Sequence, residues 1–172
     1  MKKVIFLDRD GTIIEDKNYM HNIDDLEFFP HSMDALLLFK KMGFTLIIVS
    51  NQSGVGRKYF TIEMFKKFEM NFTKKLNNYG IRIDQNFYCF HTPKDNCNCR
   101  KPNIGMVNNY IKTNKIDRKK SYIIGDQLSD MEFGDNLKIN KILINNGTYS
   151  KQSDKKLSFF IANDLLDAVR LI

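Results

Sequence analysis

No apolar stretch approaching the ~18 residues of a membrane-spanning helix occurs in this chain. The opening Met1-Lys2-Lys3 is followed by only four apolar residues before Asp8, too few for the core of a signal peptide, so a cytoplasmic protein that does not engage a membrane is expected. Cysteine is scarce, with Cys89, Cys97 and Cys99 clustered together, and an odd count without an export signal argues against a disulfide framework. Internal repeats, low-complexity tracts and linkers are also missing, apart from a polar loop from Asn145 to Lys156. What remains is a chain of 172 residues, expected to form one domain over 1–172 that folds around a single core without covalent staples.

The charge is lopsided, with 27 basic against 20 acidic residues and a net charge of +7. Such a balance suits an anionic ligand, a nucleic acid or a membrane surface. Its distribution argues against the last two: the lysines are scattered along helical stretches such as Lys66-Lys67 and Lys74-Lys75, and the one dense run, Lys115 to Lys120, reads as a solvated helix end.

Apolar runs at Val4 to Leu7, Phe44 to Val49, Asn86 to Phe90, Tyr122 to Ile124 and Lys141 to Ile144 read as strands, and helical patterns lie between most of them. That alternation predicts an α/β protein with a parallel sheet covered by helices. A first helix after Pro30 carries Ala35, Leu36, Leu38 and Phe39 inward and ends at Gly43. A second, capped at Thr61 and ended by Gly80, presents Phe65, Phe68, Phe72, Leu76 and Tyr79 at helical spacing, a core face rather than a ligand box. Shorter helices fit Asn103 to Lys112 and Ser129 to Leu137, and a last one near Asn163 carries Leu165, Leu166, Val169 and Ile172.

The chemistry sits where these strands end. The first runs into Asp8-Arg9-Asp10-Gly11-Thr12, two carboxylates one residue apart with a turn glycine behind them. The second runs into Ser50-Asn51-Gln52-Ser53-Gly54, whose hydroxyl and backbone N–H groups suit phosphate oxygens. The loop after the third reaches Arg100-Lys101-Pro102, where Lys101 offers a point charge. The fourth ends in Gly125-Asp126, with Asp130 one helical turn later. Mg²⁺ takes one or two carboxylates plus water and phosphate; Asp8, Asp126 and the Asp10 carbonyl form such a set. Asp8 beside the metal can attack phosphorus, and Asp10 can protonate the leaving oxygen and then deprotonate water. Four acids at strand tips are ill suited to a nucleic-acid backbone, which leaves a zinc-stabilised nucleic-acid-binding protein as the remote alternative.

Cys89-Phe90-His91 and Cys97-Asn98-Cys99 offer three thiolates and an imidazole, a set suited to tetrahedral Zn²⁺ or else a reduced, partly buried cysteine group. His31 reads as a surface residue at a helix start, and Arg57 as either an anion contact or a loop charge.

Taken together, Asp8-Arg9-Asp10-Gly11-Thr12, Ser50-Asn51, Lys101 and Gly125-Asp126 with Asp130 resemble the four motifs of the haloacid dehalogenase superfamily of phosphatases. The resemblance implies a capless, Rossmann-like sheet in the order 5-4-1-2-3, with Mg²⁺ held by Asp8, Asp10 and Asp126, Asp8 and Asp10 catalytic, and Ser50, Asn51 and Lys101 on the phosphate. A zinc loop over 89–99 followed by Arg100-Lys101-Pro102 resembles two branches of that superfamily, one acting on a heptose bisphosphate and one on histidinol phosphate. Tyr19-Met20-His21-Asn22-Ile23-Asp24, Ser50 to Arg57 and Arg100 to Met106 lean toward the first branch, whereas the short interval from His91 to Cys97 leans toward the second. Gln127 departs from the pattern, in which a Lys often follows the metal-binding Asp. The resemblance implies that Asp16, Tyr19, Gln52, Ser53 and Arg100 meet a small phosphorylated sugar, with Asp130 supporting from behind; a monomer is the expectation. For Tyr19 and His21, simple loop packing is the competing reading.

Overall fold

The computed structural model describes residues 1–145 and 159–172, so the polar loop read from the sequence lies, apart from Asn145, outside the described residues. Six strands form one sheet: β1 (Val4–Leu7), β2 (Thr45–Asn51), β3 (Gln85–Cys89), β4 (Tyr122–Gly125), β5 (Asn140–Ile144) and β6 (Phe160–Ala162). Their order is β3-β2-β1-β4-β5-β6 and every pairing is parallel. The expected order is therefore present with a sixth strand added at the β5 edge. Phe160-Ile161-Ala162 is too short to carry a periodic signal, and its first two residues are exposed, as an edge strand permits.

Strands buried on both faces explain the unbroken apolar runs. A single-turn α2 (Ser53–Gly56) follows β2, and Ile5 and Leu7 of β1, with Leu46 and Ile48 of β2, pack against α1 (Ser32–Lys41), α3 (Ile62–Asn78) and α6 (Leu165–Val169). Val4 and Phe6, with Ile47, Val49 and Ile123, pack on the opposite side against Phe133 and Leu137 of α5 (Leu128–Leu137). No helix among the described residues is long and apolar enough to cross a membrane.

Four local readings are corrected. Leu38 is 37% exposed because the buried face of α1 is Ser32, Ala35, Leu36 and Phe39, and Leu38 falls beside it. On α3, capped by the Thr61 hydroxyl as expected, Phe65, Phe68, Phe72 and Leu76 are buried, but Tyr79 lies beyond the last helical residue and is 62% exposed. The stretch expected as one helix from Asn103 opens as a turn: the Gly105 amide bonds the Asn98 carbonyl at 2.8 Å, so only a 3-10 turn at Gly105–Val107 and the short α4 (Asn108–Thr113) follow. The basic run from Lys115 is not a helix end, since the Lys2 amide donates to the Lys115 carbonyl and the Asp117 amide to the Lys2 carbonyl, binding that segment beside β1.

Candidate active site

The sheet order places the tips of β2, β1 and β4 side by side, which brings Ser50, Asp8 and Asp126 together. The ladder continues one residue past β1, with the Asp8 amide donating to the Ile124 carbonyl at 2.9 Å. The chain then turns through Gly11 at a φ of 81°, where a Cβ would collide with the Asp126 carboxylate, so only glycine lets this loop cross so close to the acid. Side-chain oxygens of Asp8, Asp126 and Asp130 all lie within 4.8 Å of one another, a donor set fit for a hard divalent cation.

Lys101 holds this cluster from below. Its buried Nζ forms ion pairs with Asp8 Oδ1 at 3.1 Å and Asp130 Oδ1 at 2.6 Å and donates a hydrogen bond to the Val49 carbonyl at 2.7 Å. Asp130 Oδ2 accepts the Gln127 amide at 3.1 Å at the start of α5, so both oxygens of Asp130 are engaged within the protein. Asn51 accepts the Lys101 amide at 3.0 Å and donates to the Lys101 carbonyl at 3.2 Å. Its side chain thus grips the lysine's backbone while the residue also lines the cleft. The Lys101–Pro102 peptide that follows is cis.

Asp10 is held from two sides. Arg9 Nε and Nη2 donate to its Oδ1 and Oδ2 at 2.8 and 3.1 Å, and Gln52 Nε2 donates to Oδ2 at 2.6 Å and to Ser50 Oγ at 2.9 Å. Burial pushes the Asp8 carboxyl up to about 8, with Asp130, Asp126 and Asp10 adding to the rise and Lys101 opposing it. Asp126 is likewise pushed up to about 6, first by burial and then by Asp130. Burial works against the charge on Lys101, but Asp130 and Asp8 outweigh it and its pKa is raised. The cluster carries more negative charge than one lysine offsets, and a divalent cation would complete the balance.

A cleft of about 360 Å³ opens over these groups, and its walls include Asp8, Asp10, Ser50, Asn51 and Lys101. All five residues expected to meet substrate, Asp16, Tyr19, Gln52, Ser53 and Arg100, line it too. Asp126 and Asp130 are buried beneath rather than on its walls. Asn18, Gln127 and Ser129 also line the cleft and were not read as ligand contacts from the sequence. Gln127 donates to Asp126 Oδ2 at 2.7 Å, so it serves the acid cluster as well as the wall. Tyr19 follows Asn18 in a turn where both residues have positive φ, and His21 stacks on Phe60 with centroids 4.7 Å apart, so His21 packs against the segment leading into α3.

The second cluster lies on the loop leading to Lys101. One donor atom from each of Cys89, His91, Cys97 and Cys99 lies within 4.8 Å of the others. Cys89 and Cys97 Sγ are 3.6 Å apart, Cys99 and Cys97 Sγ 3.4 Å, Cys89 and Cys99 Sγ 3.1 Å, and His91 Nδ1 and Cys99 Sγ 3.1 Å. Tetrahedral thiolate bonds of ~2.3 Å give sulfur–sulfur edges of about 3.8 Å, so the donors converge slightly more tightly than a bound ion would hold them, and the Cys₃His set suits a four-coordinate thiophilic ion.

Comparison with known proteins agrees with this geometry. The profile of the polynucleotide kinase 3 phosphatase family matches residues 3–162. The D-glycero-beta-D-manno-heptose-1,7-bisphosphate 7-phosphatase of Pasteurella multocida is 37% identical over 179 residues, covering 100% of this chain and 97% of its own. The histidine biosynthesis bifunctional protein HisB of Legionella pneumophila is 40% identical over 142 residues, 81% of this chain but only 40% of its own. Among solved structures, the D,D-heptose 1,7-bisphosphate phosphatase of B. bronchiseptica, crystallised with magnesium and phosphate, superimposes with a TM-score of 0.89 at 26% identity, covering 98% of this chain and 97% of that one.

Proposed function

The chain belongs to the polynucleotide kinase 3 phosphatase family, a haloacid dehalogenase-type hydrolase group, and from that premise we propose that it is a Mg²⁺-dependent phosphatase removing the C7 phosphate of D-glycero-D-manno-heptose 1,7-bisphosphate. The observation that carries the reading is Lys101, held between Asp8 and Asp130 beside Asp126 at the floor of a small polar cleft. Likeness over the full chain length to heptose bisphosphate phosphatases supports the substrate. The cleft volume favours a small phosphorylated sugar over a polynucleotide.

Asp8, Asp126 and the Asp10 carbonyl would hold Mg²⁺, which would supply positive charge to the acids and to the phosphate oxygens. Lys101, Ser50 and the backbone amides after β2 take up the remaining oxygens and offset the repulsion between phosphate and Asp8. A carboxylate oxygen of Asp8 attacks phosphorus as the bond to the C7 oxygen breaks, and Asp10 delivers a proton to that oxygen. Asp10 then takes a proton from water, which attacks the aspartyl-phosphate at phosphorus and returns Asp8 as carboxylate. Asp130 contributes by holding Lys101. Asp16, Tyr19, Gln52, Ser53 and Arg100 bind the sugar and the distal phosphate. Cys89, His91, Cys97 and Cys99 would hold a structural Zn²⁺, which would fix the loop that carries Arg100 and Lys101.

Histidinol-phosphate phosphatase is the second reading, favoured by the short His91 to Cys97 interval and by the HisB relative. Initial rates of phosphate release from both anomers of the heptose bisphosphate, from histidinol phosphate and from a 3′-phosphorylated oligonucleotide decide the matter. The highest kcat/KM is expected on a heptose bisphosphate, and a clear preference for either other substrate would overturn the substrate while leaving the mechanism in place.

A further inference from the structure

We infer that Arg9 is a positioning residue for Asp10, aiming its carboxylate for both proton transfers through a buried two-point contact anchored on α3. The inference rests on the assignment of Asp10 as acid and base given above. The alternation of β1 sends Ile5, Leu7 and Arg9 to the α3 side of the sheet, while Asp8 and Asp10 face the cleft. The Arg9 side chain is fully buried. Its guanidinium spans both oxygens of Asp10 and, through Nη1, reaches Glu69 Oε2 at 3.0 Å. The rings of Phe68, Phe65, Tyr88 and Phe72 surround it, with centroids 4.9 to 6.0 Å from Cζ. Asn86 in turn donates to Glu69 Oε1 at 3.2 Å.

Stability does not explain this arrangement. A guanidinium and its partner carboxylates lose hydration on burial, and apolar residues of similar volume at such positions are often equal or better for folding. The aromatic face of α3 would pack readily against an apolar side chain. What arginine adds is geometry, because its planar fork matches both oxygens of one carboxylate and a lysine's point charge does not. With Gln52 on the other flank, the fork fixes the rotation of the Asp10 carboxylate, and a displacement of ~1 Å at a proton-transferring group costs on the order of 100-fold.

The test is a double-mutant cycle read on two substrates. Arg9→Lys should lower kcat/KM for the heptose bisphosphate by roughly 30- to 100-fold, and for p-nitrophenyl phosphate, whose leaving group departs without a proton, by no more than about 3-fold. Added to Asp10→Asn, it should cost nothing further. Glu69→Gln, outside the catalytic machinery, should lower the heptose rate by about 3- to 10-fold and be silent in the Asp10→Asn background. Equal losses on the two substrates, or losses that multiply with that of Asp10→Asn, would reduce Arg9 to a support of the fold and overturn the inference. If thermal melting shows Arg9→Lys unfolded, the Glu69→Gln cycle decides by the same criterion. Full activity of Asp10→Asn on the heptose bisphosphate would instead sink the acid and base assignment, a result separate from a cycle in which Asp10→Asn is impaired and Arg9→Lys multiplies its loss.

Discussion

The acid cluster at the strand tips and the thiol cluster on the neighbouring loop each gather polar groups around a cation-sized space, but the chain assembles them differently. Asp8 and Asp126 inherit their positions from adjacent strands in register, Leu7 opposite Ile124, and Asp130 from the first turn of α5. Among the thiol-cluster donors, only Cys89 stands on a strand, opposite Asn51; His91, Cys97 and Cys99 come from the loop that follows. That loop is fastened by the Asn103 side chain on the Cys97 carbonyl at 2.9 Å and by Gly105 on Asn98. The sheet thus specifies one cluster through its backbone pairing, whereas the other is shaped by the side-chain and backbone contacts of a loop. The two meet at Cys99-Arg100-Lys101, where a thiol of the loop cluster and the lysine of the acid cluster are separated by a single residue.

If this division is right, removing the nucleophile should destroy chemistry and leave both clusters' frames standing. Asp8→Asn is expected to lower phosphate release by roughly four orders of magnitude or more, with unchanged circular dichroism and zinc content. Residual turnover within about tenfold of the parent would rule out Asp8 as nucleophile. Asp10→Asn should fall next, by about 10²- to 10⁴-fold, because the positioned carboxylates and Lys101 remain while proton transfer is lost. Steady-state rates, with acid quenching to count aspartyl-phosphate, check both.

The loop cluster should have a smaller and indirect effect. Cys99→Ser is expected to lower zinc content measured by elemental analysis and to reduce kcat/KM about 10- to 100-fold, while the Mg²⁺ concentration giving half-maximal rate changes by less than about 3-fold. A loss of Mg²⁺ affinity as large as the loss of activity would break the comparison, since it would mean that the acid cluster also depends on the loop for its shape.

The same division governs what the sequence makes legible. Strands β1, β2, β4 and β5 are readable because their apolar runs are buried between covering layers, and β3, an edge strand whose first two residues are exposed, is readable only from Phe87-Tyr88-Cys89; β6 is an exposed edge of three residues and leaves no such trace. The acids are readable because Asp8 and Asp126 directly follow those runs, and the sheet order then makes them neighbours. Contacts that depend on side-chain direction are not. The Asn51 amide turns to the Lys101 backbone, and the aromatic face of α3, correctly read as core, also encloses the Arg9 cation and carries Glu69 to it. Helical periodicity identifies which residues are buried but is silent on a charge that enters from another strand. Leu38 and Tyr79 show the complementary limit, an apolar residue at a plausible position that no second element covers.

The smallest expected effect isolates the acid cluster by its titration. Unfolded aspartates titrate near ~3.9, whereas burial raises Asp126 to about 6 and Asp8 to about 8. Across that window the folded protein retains protons that the unfolded chain has released, so stability falls as pH rises, until it passes each folded-state value. Lys101 is raised by its acidic partners, and its contribution is lost only in the more alkaline range above ~10.4. In Mg²⁺-free buffer the melting temperature should therefore drop by about 5 °C between about pH 6 and about pH 8. Saturating Mg²⁺, which binds the deprotonated carboxylates, should remove at least half of that slope. Cys99→Ser should leave the Mg²⁺-free slope negative even if its melting temperature is lower throughout, because the retained protons belong to Asp8 and Asp126, whereas Cys97, raised by burial but brought down to about 7 by hydrogen bonds from the Arg100 amide and Cys99, contributes with the opposite sign. A slope that vanishes with the thiol would show that the burial of the acids is itself maintained by the loop, and the two clusters would then have to be treated as one unit.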